Sequence, residues 1–399
     1  MKHVIIIADG AADHPVDELG GKTPFEAACK PHTDRLSMQG VQGTVATTPR
    51  GMPCGSDVCA MSLLGYDPLR YHTGRAPLEA AALGIALDLS DWIFRVNLVT
   101  VCDGRMHDHS GGHVSSEQGR SLLTDFAAVA NLPDMALYPG VSYRNIMIDR
   151  SGHRQWSGLQ TTPPHDIPGE QIDQYLPTGS LEDELLLEMI DKSQSFFAGH
   201  PINDQRRLNG QLPVTHVWPW GQGTRPDMES FEKRFGKRGA MITAVDLLAG
   251  IAAFIDWDRL DVPGQSSYHD TDYAAAGKHA IDALDSYDLV CVHVESPDEA
   301  SHAADQVTKV AAIEQIDTHI VGPLHEELIR RGPDYRVLYL PDHYTLVASR
   351  KHNPMPVPFA LCGNNVTPGR SAPFSEQNAS HSGLHLDQGH ELMNLFLAS

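Results

Sequence analysis

The chain has 399 residues, 41% hydrophobic and 20% charged, which is long enough for more than one folded core. Its 51 acidic against 30 basic side chains give a formal net charge of -21, which argues against nucleic acid or an anionic membrane as partner. A small anionic substrate stays compatible, because a few arginines or a bound metal reverse the field inside a cleft.

The opening "MKHVIIIADG" holds an apolar run far too short for a signal peptide or a span, and no later segment reaches the roughly 18 apolar residues that crossing a bilayer needs. "HVIIIAD" reads as a buried central strand whose carboxyl end delivers Asp9 into a loop. Next, "TTPRGMPCGSDVCAMSLLGYDP" sets Ser56 between Gly55 and Asp57, after a turn-rich run and before a helix. A serine on that corner is either a helix cap or a nucleophile. From about residue 91 to 211, "WIFRVNLVTV", "MALYPGVSYRNIMID" and "HRQWSGLQTT" predict strands, and "LEDELLLEMIDKSQSFFAG" predicts a helix. "VTHVWPWGQG" then predicts a strand returning to the main sheet.

In the last third, the strands "YDLVCVHVE" and "YRVLYL" alternate with the helical "AVDLLAGIAAFIDW" and "VTKVAAIEQIDTHIVGPLHEELIRR". This alternation predicts an α/β core with a mainly parallel sheet, residues 1–90 and 212–399, interrupted by a smaller α+β insertion at 91–211. The cysteines Cys29, Cys54, Cys59, Cys102, Cys291 and Cys362 form no CxxC pair, and they read as reduced thiols of a cytoplasmic protein.

In such sheets functional groups gather beyond the carboxyl ends of the strands, so Asp9, Asp298 and Asp342 are expected together. Asp298 and His302 stand at i and i+4, on one face of a helix. "PDH" brings Asp342 and His343 to a strand end, and His352 follows in the proline-rich "HNPMPVPF". Mixed carboxylate and imidazole donors suit a divalent ion such as zinc or manganese. With Ser56, these residues can form two metal sites sharing one cleft. A serine hydroxyl needs activation at neutral pH, and a metal pair can supply it while neutralising a phosphoryl group in an in-line displacement. Singly, each element has a plainer reading as a cap, a surface pair or an ordinary strand-end acid. Their joint occurrence at strand ends points to phosphoryl transfer.

Other features read as structural. "LGGKTP" lacks the earlier glycine of a P-loop, since that position is Val16, and Lys22 reads as structural. His381, His385 and His390 read as loop and surface residues, and Cys54 and Cys59 as small packing residues.

Beyond this, "ADGAADHPVDELGGKTPFEAA", "GMPCGSDVCAMSLLGYDPLRYHTGRAPLEAAALGI", "HVESPDEASH", "PDH", "KHNPMPVPF", "TTPPHDIPG" and "GHELMNLFL" resemble the cofactor-independent phosphoglycerate mutases of the archaeal type. That family lies in the alkaline phosphatase superfamily, and one bacterial subgroup is also labelled as proposed homoserine kinases. The resemblance covers almost the whole chain and implies an alkaline-phosphatase-like core with an inserted lid. It implies Ser56 as nucleophile, with Asp9, Ser56, Asp342 and His343 around one metal and Asp298, His302 and His352 around the other. The ions implied are two divalent metals, Mn2+ or Zn2+ first and Mg2+ or Co2+ next, with no bisphosphoglycerate. The implied reaction interconverts 3-phosphoglycerate and 2-phosphoglycerate through a phosphoserine, under a lid that excludes water.

One segment departs from the family. "DHSGGHV" puts His109 and His113 where arginines usually stand, with His107 alongside, and imidazole is no substitute for a guanidinium fork. Arg75 and Arg144 are then the remaining candidates for holding substrate anions. The departure motivates a rival in which the same site phosphorylates homoserine or another acceptor. A second rival is a metal-binding protein without turnover.

Overall fold

The computed structural model describes residues 1–398 and divides into two compact units, Met1–His72 with Met228–Ser399, and Thr73–Asp227. The first unit is built on an eight-stranded sheet. Its order is His385–Leu386, Val41–Val45, Val357–Gly363, Tyr335–Leu340, Lys2–Ala8, Leu289–Val294, Gly239–Ile242 and Asp258–Arg259. Only the pairings of Val357–Gly363 with its two neighbours are antiparallel. Lys2–Ala8 and Leu289–Val294 are buried on both faces, which is why they read as continuous apolar runs and not as alternating ones.

Register decides where the chemistry falls. Ala8 pairs with Val294, and Ile7 with Leu340, so three adjacent parallel strands end side by side. The residues that follow them are Asp9, Glu295 with Ser296, and Pro341 with Asp342. Gly10 turns the chain at φ +59, and a Cβ there would collide with the side chains of Asp298 and Thr345. Only glycine lets the loop pass so close.

Beneath these loops lies a buried ionic network. Lys309, on the helix Gln306–Ile316, is fully buried. Its Nζ donates to the carbonyl oxygens of Ala12 at 3.3 Å and Thr345 at 2.7 Å, and pairs with Asp13 Oδ2 at 2.9 Å. Val347 N donates to the same Asp13 oxygen. Glu376 closes the network, accepting from Asp13 N at 3.2 Å and from the Thr23 hydroxyl at 2.7 Å. The loops after Lys2–Ala8 and after Tyr335–Leu340 are thereby tied to one cation.

The second unit is an antiparallel sheet around the eleven-residue strand Trp92–Cys102. Arg144–Asp149 and His216–Thr224 flank it, Met135–Pro139 lies outside Arg144–Asp149, and Arg105–Asp108 forms a hairpin with its end. One face packs Phe94, Val96 and Leu98 against Leu122 and Phe126 of the helix Ser116–Val129, and against Leu186, Met189 and Phe197 of Asp183–Ala198. The other packs Ile93, Ile146 and Ile148 against Ala76 and Ala80 of Arg75–Ala82.

Two expectations for this region are corrected. The strand expected at "VTHVWPWGQG" forms, but it pairs with Trp92–Cys102 in the second sheet and not with the main sheet. Its unbroken apolar run resembles a parallel core strand because Val217, Trp218 and Trp220 find apolar cover on both faces of this smaller sheet. "HRQWSGLQTT" forms no strand. The Asp149 carboxylate accepts from Arg154 Nη1 at 2.8 Å and Trp156 Nε1 at 2.7 Å, which draws both side chains inward and leaves the backbone as a loop.

Burial raises the Glu376 carboxyl to about 7. The folded state therefore holds its proton more tightly than the unfolded chain. That contribution is fully present below the ordinary glutamate range and is lost as pH rises through about 7. Glu376→Gln should gain stability relative to the parent between pH ~4.5 and ~7, by on the order of 2–3 kcal/mol, and level off above. Urea unfolding across that range checks this, and a gap independent of pH contradicts it.

Candidate active site

The helix Ser56–Leu63 begins at Ser56 itself, with Gly55 in the capping position and no side-chain cap. The serine is thus not spent on capping. Its Oγ lies 3.3 Å from His343 Nε2. The next residue, Asp57, is buried and holds His72 Nε2 at 2.8 Å.

Around His343 Nε2 the acids converge. Asp9 Oδ1 lies 3.4 Å away and Asp342 Oδ2 3.5 Å away. Asp9, Asp342 and His343 are all fully buried. The far oxygen of each carboxylate is occupied: Asp342 Oδ1 accepts from the backbone N–H of Gly10 and His343, and Asp9 Oδ2 faces His293 Nε2 at 2.8 Å. The near oxygens have no hydrogen-bond partner. A second group adjoins it. His302 Nε2 lies 3.1 Å from Asp298 Oδ2, His352 Nε2 lies 3.5 Å from Asp298 Oδ1, and the two Nε2 atoms are 2.9 Å apart.

The histidines are oriented for this. His343 Nδ1 meets Thr345 Oγ1 at 3.0 Å, and that hydroxyl donates its own proton to Asp298 Oδ1 at 2.5 Å, so His343 Nδ1 carries the hydrogen. His302 Nδ1 faces the Arg350 carbonyl at 3.0 Å, and His352 Nδ1 faces the Cys54 carbonyl at 3.2 Å. In each of the three rings Nδ1 faces an oxygen that can take its hydrogen, which leaves Nε2 to face the carboxylates. His302, His352 and Asp298 share protons there: the hydrogen bond to Asp298 raises His302 above its ordinary value and, against the effect of burial, raises His352 to about 9.

Electrostatics define what the cleft fits. Burial, with Asp342 close by, pushes the Asp9 carboxyl well above its ordinary range. Burial also raises Glu295, to about 8, with Asp298 and Asp342 adding to the shift. Unpartnered buried carboxylate oxygens beside imidazole Nε2 atoms, which a cation can take in place of a proton, are the donor set of a divalent ion such as zinc or manganese. The residues present therefore fit a metal pair: Asp9, Ser56, Asp342 and His343 can hold one ion, and Asp298, His302 and His352 the other.

A further polar cluster lies within the second unit. The Arg95 guanidinium stacks on Trp220 at 3.9 Å and pairs with Glu79 Oε2 at 3.0 Å. Burial lowers Arg95, opposed by Glu79, while the positive charges of Arg75 and Arg144 lower it further. Burial lowers His165 as well, opposed by Asp166, with Arg95, His109 and Arg75 adding to the shift. His109 contacts the His165 and Tyr143 rings, and Arg144 lies over Tyr143. Arg75, Arg144 and His109 are thus brought into one cationic neighbourhood. His113 is placed apart from it, exposed at φ +51 with its N–H donated to Ser110 Oγ, and His107 is exposed. The glycine turn of this segment is held by a buried arginine that sequence reading passed over, Arg206, which donates to the Gly111 and Gly112 carbonyls.

Other contributors were also missed. Arg95 carries no motif, and His165 lies within "TTPPHDIPG" with nothing in that stretch to mark its role. His293 and Thr345 had a faint signal as polar residues beside the strand-end acids. Lys309 had a clearer one, since it shares the helix face of Ala312, Ile313 and Ile316.

Fold and site together define an α/β protein with a serine and two clusters of side chains able to ligate a metal at the carboxyl edge of a mainly parallel sheet. The family model described as 2,3-bisphosphoglycerate-independent phosphoglycerate mutase matches residues 38–203. A relative from Methanothrix thermoacetophila bearing that name is 43% identical over 398 residues, covering 100% of both chains. A solved structure of a Pyrococcus horikoshii protein is 26% identical at TM-score 0.84, covering 99% of this chain and 96% of its own. The cofactor-independent phosphoglycerate mutase of Thermoplasma acidophilum shares the fold at TM-score 0.70 and 24% identity, covering 100% of this chain and 99% of its own. The chain belongs to the 2,3-bisphosphoglycerate-independent phosphoglycerate mutase family.

Because buried carboxylates repel one another here, Mn2+ should raise the thermal unfolding midpoint and a chelator should reverse it. Asp342→Asn should remove most of that gain while leaving the chelated protein at least as stable as the parent. Calorimetric melts with and without Mn2+ test this, and an unchanged Mn2+ response in the variant contradicts it.

Proposed function

We propose that this protein interconverts 3-phosphoglycerate and 2-phosphoglycerate through a phosphoserine at Ser56, without bisphosphoglycerate. The observation that carries the reading is the Ser56 hydroxyl, uncommitted to helix capping and set against His343 Nε2 among the unpartnered oxygens of Asp9 and Asp342. Family membership and the activity that names the relatives supply the substrate.

A divalent pair, Mn2+ or Zn2+ before Mg2+ or Co2+, would supply electrostatic stabilisation of the serine oxygen and the phosphoryl group. The chain's own part follows from its geometry. Ser56 Oγ forms a bond to phosphorus as the bond to the substrate's 3-oxygen breaks; the serine proton is released and the 3-oxygen gains one. The free glycerate turns. Its 2-hydroxyl then loses a proton and takes the phosphoryl group back as the phosphorus–Oγ bond breaks, restoring the serine. Ser56 begins its helix, so first-turn N–H groups favour the phosphoserine charge. We assign the cationic cluster of Arg75, Arg95, Arg144, His109 and His165 to the substrate's anionic groups, with the departure at "DHSGGHV" offset by Arg95. The exposed His113 is a peripheral contact at most.

Two measurements test this. Phosphorus NMR of the protein with Mn2+ and 3-phosphoglycerate, without nucleotide or bisphosphoglycerate, should show 2-phosphoglycerate growing in. Ser56→Ala should abolish that signal while still binding Mn2+, and retained turnover in the variant contradicts the reading. Arg144→Gln should lower kcat/KM by roughly tenfold to a hundredfold, chiefly through KM, as expected for one charge-assisted hydrogen bond.

A further inference from the structure

His293 is buried on the strand Leu289–Val294, one strand over from Asp9. Its Nε2 lies 2.8 Å from Asp9 Oδ2, and its Nδ1 lies 3.1 Å from Thr243 Oγ1. Thr243 Oγ1 in turn accepts from the backbone N–H of Val245 at 3.1 Å.

The direction of this chain can be worked out from its two ends. With a cation at Oδ1 Asp9 is ionised despite its burial, and its Oδ2 then only accepts, so His293 Nε2 carries the hydrogen and Nδ1 is bare. A bare Nδ1 needs a donor, and the Thr243 hydroxyl is one. The relay runs Val245 N–H to Thr243 Oγ1, Thr243 O–H to His293 Nδ1, and His293 Nε2–H to Asp9 Oδ2. Each buried polar atom in it has a partner, whereas the opposite tautomer would set an imidazole lone pair against a carboxylate. This is the reverse of His302, His343 and His352, which donate from Nδ1.

We propose that His293 is a positioning residue for the metal centre. It occupies Asp9 Oδ2, so that Asp9 offers only Oδ1, the oxygen that lies 3.4 Å from His343 Nε2. Thr243 fixes the tautomer that makes this possible. The inference rests on the metal reading of the cleft and deepens it. A rival use of the same residues exists, since Asp9, His293 and Glu295 present atoms within 4.8 Å of one another and could surround a third cation. The hydrogen-bond direction speaks against that, because a protonated Nε2 cannot ligate.

The test has two parts on the full chain. Long-range proton–nitrogen NMR of histidine side chains in the Zn2+-loaded protein should show His293 protonated at Nε2 and His302, His343 and His352 protonated at Nδ1. A His293 ring bound to zinc, or protonated at Nδ1, overturns the proposal. Titration calorimetry with Mn2+ should find two ions in the parent. His293→Ala and Thr243→Val should each weaken one of them, the former by ~10- to 100-fold, the usual effect of removing a ligand's outer partner. His293→Gln, which can return an N–H to the same oxygen, should recover most of the loss. Parent affinities in all these variants overturn the positioning role alone. A parent that binds no Mn2+ overturns the metal reading with it, and a third ion lost in His293→Ala makes His293 a ligand instead.

Discussion

Everything in the first unit depends on the alignment of three parallel strands. Lys2–Ala8 pairs in register with Leu289–Val294 on one side and Tyr335–Leu340 on the other, so their carboxyl ends deliver Asp9, Glu295 and Asp342 to one buried place. Burying several carboxylates together is unfavourable unless a cation or protons compensate. The sequence around them is shaped by that demand. Gly10 allows the close approach, Lys309 neutralises Asp13 just below, and His302, His343 and His352 are held through Nδ1 with Nε2 turned toward the acids.

A division of labour among polar groups follows. Asp9 and Asp342 each commit one oxygen to structure and leave the other without a hydrogen-bond partner. Asp342 gives Oδ1 to the backbone of Gly10 and His343, and Asp9 gives Oδ2 to His293. Thr345 links the two clusters, accepting from His343 and donating to Asp298, so neither cluster can shift without the other. Such precision is what in-line displacement requires, where small misplacements of the reacting atoms are costly.

Much of this was legible in the sequence. Asp9, Asp298 and Asp342 could be placed because apolar runs ending in an acid mark buried strands, and His302 because four residues make one helical turn. Whether Ser56 was a cap could not be read, since that depends on which residue begins the helix, and here Gly55 takes the capping place. "VTHVWPWGQG" misled because burial on both faces looks alike in a large sheet and a small one. Arg95 and Arg206 escaped notice for another reason. Each is defined by distant partners, Trp220 and Glu79 for one and the Gly111 and Gly112 carbonyls for the other, which no local pattern announces.

The central claim is a covalent phosphoryl group on one serine. Rapid acid quenching of the Mn2+-loaded protein during turnover of 3-phosphoglycerate, followed by peptide mass spectrometry, addresses it directly. The account predicts phosphate on the peptide containing Ser56, appearing within the first turnover and disappearing as substrate is removed. Turnover with that peptide unmodified, or with the phosphate on another residue, would contradict it.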